Sequence, residues 1–579
     1  MTNTIQTTII PSHPRDEIRV AFPDATVLSA PIRTSAENIM QAAEAQGLIT
    51  YDAPLIAVIC NGKLRELTHI LTHDSELSPV CLSNSDGGRI YRRSLVLLLV
   101  TAFHELWQER ELRVDYAIPD GGFYCEPDMP LTSDEIQQLE ARMQAIVADD
   151  VKIDKSTRPL KEVIELYKKR GDEDRVQLLQ NREENTLNVY TLNGRSDYYY
   201  GYMVPSTRYL SLFKVIPVDE GFILQYPRKN NPTALKDINP DSKLIRVFHQ
   251  MDEWLETLNV PDFGKLNTLI YEDRIQELIL ITEALHEQNV ARISTEINVA
   301  TQQGARIVLI AGPSSAGKTT FSKRLAIQLL AHGLRPFTLE MDNYFVSREH
   351  TPRDENGDYD FESLYALDLP VLNDHLNRLM KGENVQLRHF DFHTGQNQPG
   401  RTVQLSQNHI IVMEGIHGLN PDLVPEIPPD KVYRVYVSAL TGLNIDRYNR
   451  VPTTDVRLLR RIVRDARHRG YTATDTLNRW QSVRRGEKRN IFPHQENANT
   501  IFNSAMPYEL AALRPIVEPM LLQITDRTPA HIEAKRLMAL LQWVAPLTAH
   551  QVGFIPDTSL LREFIGGSVL NDYHPGQNI

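Results

Sequence analysis

RIVLIAGPSSAGKTTF, residues 306–321, runs from an unbroken apolar stretch into a turn with two glycines, two serines and a lysine, and on into the helical pattern FSKRLAIQLLAHG. Gly312 to Thr319 fits G-x-x-x-x-G-K-[ST], and it lies where that pattern has physical meaning, between a buried strand and a helix start. The glycines let the loop curl so that backbone N–H groups point inward at phosphate oxygens, and the helix adds the positive end of its dipole. Gly312, Pro313, Ser314, Ser315, Ala316, Gly317, Lys318, Thr319 and Thr320 are therefore expected to wrap the phosphates of ATP. Lys318 would reach the β- and γ-phosphates, and the Thr319 hydroxyl would serve as a Mg²⁺ ligand. A loop of this kind identifies a phosphate site and leaves the reaction open among motors, GTPases and small-molecule kinases.

Working outward, FTLEMD, HIIVMEG and KVYRVYV are further apolar runs separated by helical patterns. Continuous apolar strands alternating with helices predict a parallel sheet covered on both faces. At the carboxyl end of the second strand stands Asp342, in MDNYF, placed to take a proton from an acceptor hydroxyl as it attacks the γ-phosphate. The third strand ends on Glu414, a carboxylate suited to hold Mg²⁺ directly or through water. Six arginines lie between Arg457 and Arg469 in DVRLLRRIVRDARHRG. Arg457, Arg460, Arg461 and Arg464 recur at spacings of three and four, which puts them on one helix face suited to phosphate oxygens.

The front of the chain reads differently. IRVAF, the helix-like ENIMQAAEAQG, LIAVICNG and a turn at THDSELSP suggest a small β-grasp fold. A helix over Ser94–Glu109 is expected next, with LVLLLV at its centre, too short to span a bilayer and readable as core. LTSDEIQQLEARM carries a capping box, Thr132 with Glu135, and the aromatic-rich SDYYYGYMVPSTRYLSLFKVIPVDEGFILQYPR suits strands. Two helical runs, IRVFHQMDEWLETL and DRIQELILITEALHEQ, then lead to the loop. The expected organisation is a flexible 1–15, a β-grasp domain 16–84, an α+β domain 85–233, a helical connector 234–303, an α/β P-loop domain 304–528, and a helical extension and tail 529–579. The fold class is thus multidomain.

With 579 residues the chain exceeds what one core can organise. A net charge of −12 gives no global attraction to nucleic acid or to an anionic membrane, so either would need a local basic patch. Three cysteines without a CxxC pair make no disulfide framework, and a reducing cytoplasm is the expected setting. No signal peptide is evident in MTNTIQTTIIPSHPRDE. Oligomeric state is left open, with a homo-oligomer among the expectations.

GPSSAGKTTF, MDNYF, VMEGIHGL and RRIVRDARHRG follow one another in an order and spacing that resembles the uridine-cytidine kinase family, kin of phosphoribulokinase, over about Arg306 to Pro519. That resemblance implies ATP-dependent transfer to a hydroxyl, with Asp342 as general base, Lys318 and Thr319 in the P-loop and Glu414 as the metal-side acid. Arg461, Arg464 and Arg469 would form a lid over sugar and phosphates. It also implies an acceptor pocket of Tyr344, Phe345, Phe361, Glu362, Phe390, Phe392, His393 and Tyr471, and a role in pyrimidine salvage. This pocket departs from the family pattern: Glu362 stands for an Asp, His393 is displaced, and Tyr471 stands for an Arg. A sugar phosphate is the alternative acceptor, with Arg388 and His389 available to receive its phosphate.

VAFPDAT, ICNGKLRELTHILTHDSEL, LVTAFHELW and DGGFYCEP, within Ile18 to Arg228, resemble the N-terminal part of threonyl-tRNA synthetase, a TGS domain followed by an editing-type domain. The editing positions appear here as Arg93, Leu97, Tyr199 and Met203, none a metal ligand or base of the required kind. The resemblance therefore implies a domain kept for shape or binding. It also leaves a nucleotide-sensing, RNA-binding regulator as the reading from outside the enzyme class.

Overall fold

In a computed structural model that describes residues 15–118, 121–238, 243–353, 357, 359–391, 394–525 and 528–575, the rear half is built on a five-stranded sheet. Its order is Arg335–Glu340, His409–Glu414, Ile307–Ala311, Val432–Ser438, Thr500–Asn503, and every pairing is parallel. The five residues IVLIA are all buried, as a parallel sheet with both faces covered requires. Alternation along this strand divides them. Val308 and Ile310 join a core shared with the helices Ile275–Gln302 and Lys318–Ala331, while Ile307 and Leu309 join a second core with Leu339, Met341 and Leu376. Ile307–Ala311 is central, with its neighbours reached by crossovers in opposite directions. The turn at its end therefore opens at the topological switch point, where open parallel sheets form their binding crevice.

The first front unit is a five-stranded sheet around the helix Ala36–Ala45. THDSELSP, expected as a turn, instead opens a strand, Ser75–Cys81, which pairs in parallel with Glu17–Ala21 and antiparallel with Leu55–Cys60. Its proline, Pro79, and its polar residues conceal it from a periodicity reading, yet Leu77, Val80 and Cys81 are buried. The next helix runs over Ser85–Leu106 rather than Ser94–Glu109. Its first two turns, SDGGRIYR, lack apolar periodicity, and tertiary contacts with the sheets carry them. Leu95–Val100 are all buried within it, so the apolar run is core as expected. Among the described residues no helix is long and apolar enough to cross a membrane. The Thr132–Glu135 capping box is complete.

Three helices, Lys243–Thr257, Phe263–Tyr271 and Ile275–Gln302, occupy the expected connector. Front and rear are welded by a buried ionic knot in which Arg175, wholly enclosed, pairs with Asp197, and Tyr198 donates its hydroxyl to Asp446. Charges taken out of water this completely are tolerable only because each is paired. The end of the chain does not trail: Leu540, Leu541, Leu560 and Phe564 belong to the rear core. Lys323, on the helix Lys318–Ala331, donates to the carbonyls of Leu570 and Asn571 at 2.6 and 2.8 Å. The expected flexible N-terminus, apart from Arg15, and the last four residues lie outside the described residues. Cys60, Cys81 and Cys125 are free and buried.

Candidate functional site

The loop after Ile307–Ala311 adopts the curl its glycines predict. Ser315 and Gly317 both have positive φ, 59° and 83°, and Gly317 caps the helix Lys318–Ala331. Any Cβ at Gly317 would strike Leu560, so the position excludes larger residues twice over. Lys318 folds back to donate to the carbonyls of Gly312 and Pro313 at 3.0 and 3.2 Å. Burial lowers its pKa, with Glu414 acting in the opposite sense. The Thr319 hydroxyl donates to Glu414 Oε1 at 2.8 Å, while Glu414 Oε2 is buried without a partner. Desolvation raises the Glu414 carboxyl, opposed by Lys318 and Thr319.

Asp342 lies two residues past Glu340, which sits directly opposite Glu414 in the sheet register. Its own surface is open to solvent, yet the surrounding walls disfavour its charge. Desolvation, then Glu340, raises its carboxyl, against Lys318 and Arg469. Asp342 also acts on Glu414, so the three groups share one field at the carboxyl ends of adjacent strands. Mutually perturbed groups of this kind cluster at functional sites, and they also occur in structural ion-pair networks.

The arginine helix, Thr453–Arg469, divides in a way the spacing did not show. Arg457 and Arg460 are fully buried and serve the loop's architecture. Arg457 pairs with Glu487 and donates to the Ser314 carbonyl, while Arg460 pairs with Glu509 and donates to Ser504. Arg461 reaches the Ser314 hydroxyl at 2.6 Å. Arg461, Arg464 and Arg469 all converge on Asp465, at 3.1, 3.1 and 3.4 Å. Asp465, 1% exposed, thus gathers the three expected lid residues beside the loop.

Of the expected acceptor residues, Phe345 packs edge-on to Phe361 at 6.5 Å between ring centres and tilted against Phe390 at 5.7 Å. Glu362 approaches Gly486 so closely that a Cβ there would overlap its carboxylate. Desolvation, with Glu487 and Asp360, pushes Glu362 up to about 7. Tyr344 requires correction: it is fully buried, its hydroxyl on His375 Nδ1 at 2.9 Å, so it supports Phe345 from the core instead of lining the open space. Tyr471 lies under the Arg479 guanidinium, 4.2 Å from its ring centre. Phe392 and His393 lie outside the described residues.

Three residues that sequence reasoning missed stand in this site. Glu487 accepts the Ser314 N–H at 3.0 Å. Glu563, from the end of the chain, accepts from the Thr320 hydroxyl at 2.8 Å and its backbone N–H at 3.4 Å. Asp465, four residues from both Arg461 and Arg469, could have been found from helical spacing. Glu487 and Glu563 are separated from the loop by more than 150 residues, and no local signal points to them.

The four editing-type positions hold no comparable groups. Leu97 and Met203 are buried, Arg93 donates to the Tyr202 carbonyl at 2.8 Å, and Tyr199 is 4% exposed with its hydroxyl unpartnered. Packing fills the place where ligands would stand.

Residues 307–511 match the model of the phosphoribulokinase / uridine kinase family. The chain is 27% identical over 191 residues to a threonine–tRNA ligase of Xanthomonas euvesicatoria pv. vesicatoria, a match covering 32% of this chain and 30% of that one. It thus spans about a third of the length of the curated relatives it matches. Among solved structures, a "possible uridine kinase" from Bacillus stearothermophilus is 20% identical, with 37% of this chain and 98% of that one covered and a TM-score of 0.25. D-glycerate 3-kinase from Cryptococcus neoformans is 16% identical, covering 36% and 87%, also at 0.25. Residues 307–511 are thus the part of the chain similar to the phosphoribulokinase / uridine kinase family, and the front is similar to threonine–tRNA ligases.

Proposed function

We propose that this protein transfers the γ-phosphoryl group of ATP to the hydroxyl of a small acceptor, the 5′-hydroxyl of a pyrimidine nucleoside being the acceptor favoured. The observation that carries this is the shared field of Lys318, Glu414 and Asp342 at the carboxyl ends of neighbouring parallel strands. Lys318 and the loop amides hold the β- and γ-phosphates, for which Lys318 exchanges its present bonds to Gly312 and Pro313. Asp342 accepts the hydroxyl proton as the acceptor oxygen bonds to phosphorus and the bond to ADP breaks. Arg461, Arg464 and Arg469, oriented by Asp465, meet charge spreading over the transferring group.

The donor set suits Mg²⁺. Glu414 Oε2 is a buried oxygen without a partner and the Thr319 hydroxyl stands on its other oxygen, a sparse all-oxygen set that a hard cation completes with phosphate and water. When bound, the ion would neutralise phosphate charge.

The aromatic group Phe345, Phe361 and Phe390 favours an acceptor with a flat face, such as a nucleobase. A sugar phosphate is disfavoured because Arg388 is already paired with Asp368 at 2.6 Å. Screening the purified protein for ADP release over uridine, cytidine, other nucleosides and sugar phosphates tests the reading. Release dependent on a pyrimidine nucleoside and lost in Lys318→Ala is expected. Release with no dependence on any acceptor in the set would sink the transferase reading, and a preference for a sugar phosphate would displace the nucleoside.

A further inference from the structure

Next to the phenylalanines of the acceptor site, the two-stranded hairpin of Val385–Asp391 and Gln396–Val403 stands apart from the parallel sheet. A lone hairpin is marginal in water, so its position depends on what it leans against. Alternation puts Arg388, Phe390 and Asn397 on one face, with Phe390 and Asn397 directly opposite in register. All three residues brace it. Arg388 pairs with Asp368 at 2.6 Å, the Phe390 N–H donates to Asn343 Oδ1 at 3.1 Å, and Asn397 Nδ2 donates to the Phe345 carbonyl at 2.7 Å.

The helix Leu369–Met380 has two sides of unlike character. Leu372, Leu376 and Leu379 are buried in the core shared with Leu339 and Met341. Asp368, Val371, Asp374 and His375, again at spacings of three and four, line a cavity of about 700 Å³ whose far wall is the hairpin, with Gln386 and Arg388, and whose third side holds Ser347. That volume is in the range of small-molecule sites.

Polar groups dominate this lining, and its charges are already met within the protein. Asp368 holds Arg388, and Arg378 holds Asp374 at 3.4 Å. Burial lowers His375 below its ordinary value, which keeps the ring neutral. What remains is hydrogen-bonding capacity. Among the described residues the side chains of Ser347 and Gln386 and the Nε2 of His375 have no hydrogen-bond partner, while His375 Nδ1 is engaged by the Tyr344 hydroxyl at 2.9 Å. Ser347 and Gln386 can each donate and accept, as a hydroxyl can. A phosphate or carboxylate would find no uncompensated cation here, whereas a row of hydroxyls would find matching donors and acceptors.

We propose that this cavity is a binding site for a neutral, hydroxyl-rich small molecule, an unphosphorylated sugar or polyol, held by Ser347, His375, Gln386 and the Arg388–Asp368 pair. Its occupant would touch the same residues that fix the turn Met341–Tyr344, on which Asp342 stands. His375 anchors Tyr344, and Asn397, also in the cavity wall, anchors Phe345. On the transferase reading, filling the cavity therefore stiffens the acceptor side of the site from behind.

Saturation-transfer NMR on the full chain with D-ribose, D-glucose, D-fructose and glycerol reads binding without any turnover, so its outcome is separate from that of the kinase assay. Transfer to at least one of the four is expected, and it should persist when ATP is present. Affinity should fall by about tenfold or more in Ser347→Ala/Gln386→Leu, the loss of two hydrogen bonds. Both side chains lack partners in the fold, so the melting temperature should stay near that of the parent. The assignment is overturned if none of the four binds the folded chain, if the double variant binds as well as the parent, or if ATP competes with the bound sugar. It is equally overturned if inorganic phosphate binds more tightly than the sugars and loses that affinity in Arg388→Gln, since the cavity would then be an anion site.

Discussion

Two places in this chain, the P-loop and the front positions Arg93, Leu97, Tyr199 and Met203, differ in what occupies them. Around the P-loop the protein keeps a buried oxygen of Glu414 without a partner, two carboxyls raised by desolvation, and a lysine turned onto its own loop carbonyls. At the front, Leu97, Met203 and Tyr199 are packed into a core, and Arg93 is satisfied by a backbone carbonyl. The front place leaves one buried hydroxyl, that of Tyr199, unpartnered amid apolar packing, whereas the P-loop place gathers an unpartnered carboxylate oxygen with other charged groups around it.

Four measurements would break or sharpen that contrast. The largest effect is expected from Asp342→Asn, which should lower turnover by roughly 10²- to 10⁴-fold with ATP affinity nearly intact, the range for a positioned general base. Steady-state kinetics that found normal turnover would remove Asp342 from that role. Next, Leu97→Ala should cost about 2–5 kcal/mol of stability, the usual price of a cavity in a packed core, while ATP affinity is unchanged. Denaturant unfolding showing no loss would mean that the front place is not closed packing at all.

A smaller effect is expected from Glu563→Gln. The carboxylate now sits on the Thr320 N–H and hydroxyl at the positive end of the P-loop helix, so removing its charge should tighten ATP binding by about two- to fivefold. Fluorescence titration giving weaker binding would show instead that Glu563 supports the nucleotide. The smallest concerns pH. Glu362 is raised from 4.5 to about 7 in the folded protein, so the folded state holds a proton that the unfolded state releases. Its contribution to stability therefore declines as pH rises from about 4.5 to about 7, and Glu362→Gln should flatten that part of the stability profile. An unchanged slope would mean that Glu362 titrates normally.

Much of the rear architecture was legible in the sequence because its signals are local. IVLIA is apolar throughout, HIIVME and VYRVYVS are mostly apolar, and the glycine spacing of 312–317 has one physical use. The strand Ser75–Cys81 was hidden because the sheet around it, and not its own alternation, determines its conformation. Within the site, Lys318, Thr319, Asp342 and Glu414 could be named because each sits at a strand or helix end. Tyr344 could not be oriented, since alternation along a short 3₁₀ turn does not say which side faces the core.

Sequence by itself determined the phosphate loop, the parallel order of strand and helix that presents it, and the chemical types available at its rim, because these follow from periodicity and from the conformational freedom of glycine. Tertiary structure alone decided which arginines face the loop and which are locked behind it by Glu487 and Glu509, and that Glu563 returns from the far end of the chain to the helix start. The physical reason is that charge pairing depends on distance in space, and residues hundreds of positions apart acquire a common field only when packing closes the chain upon itself.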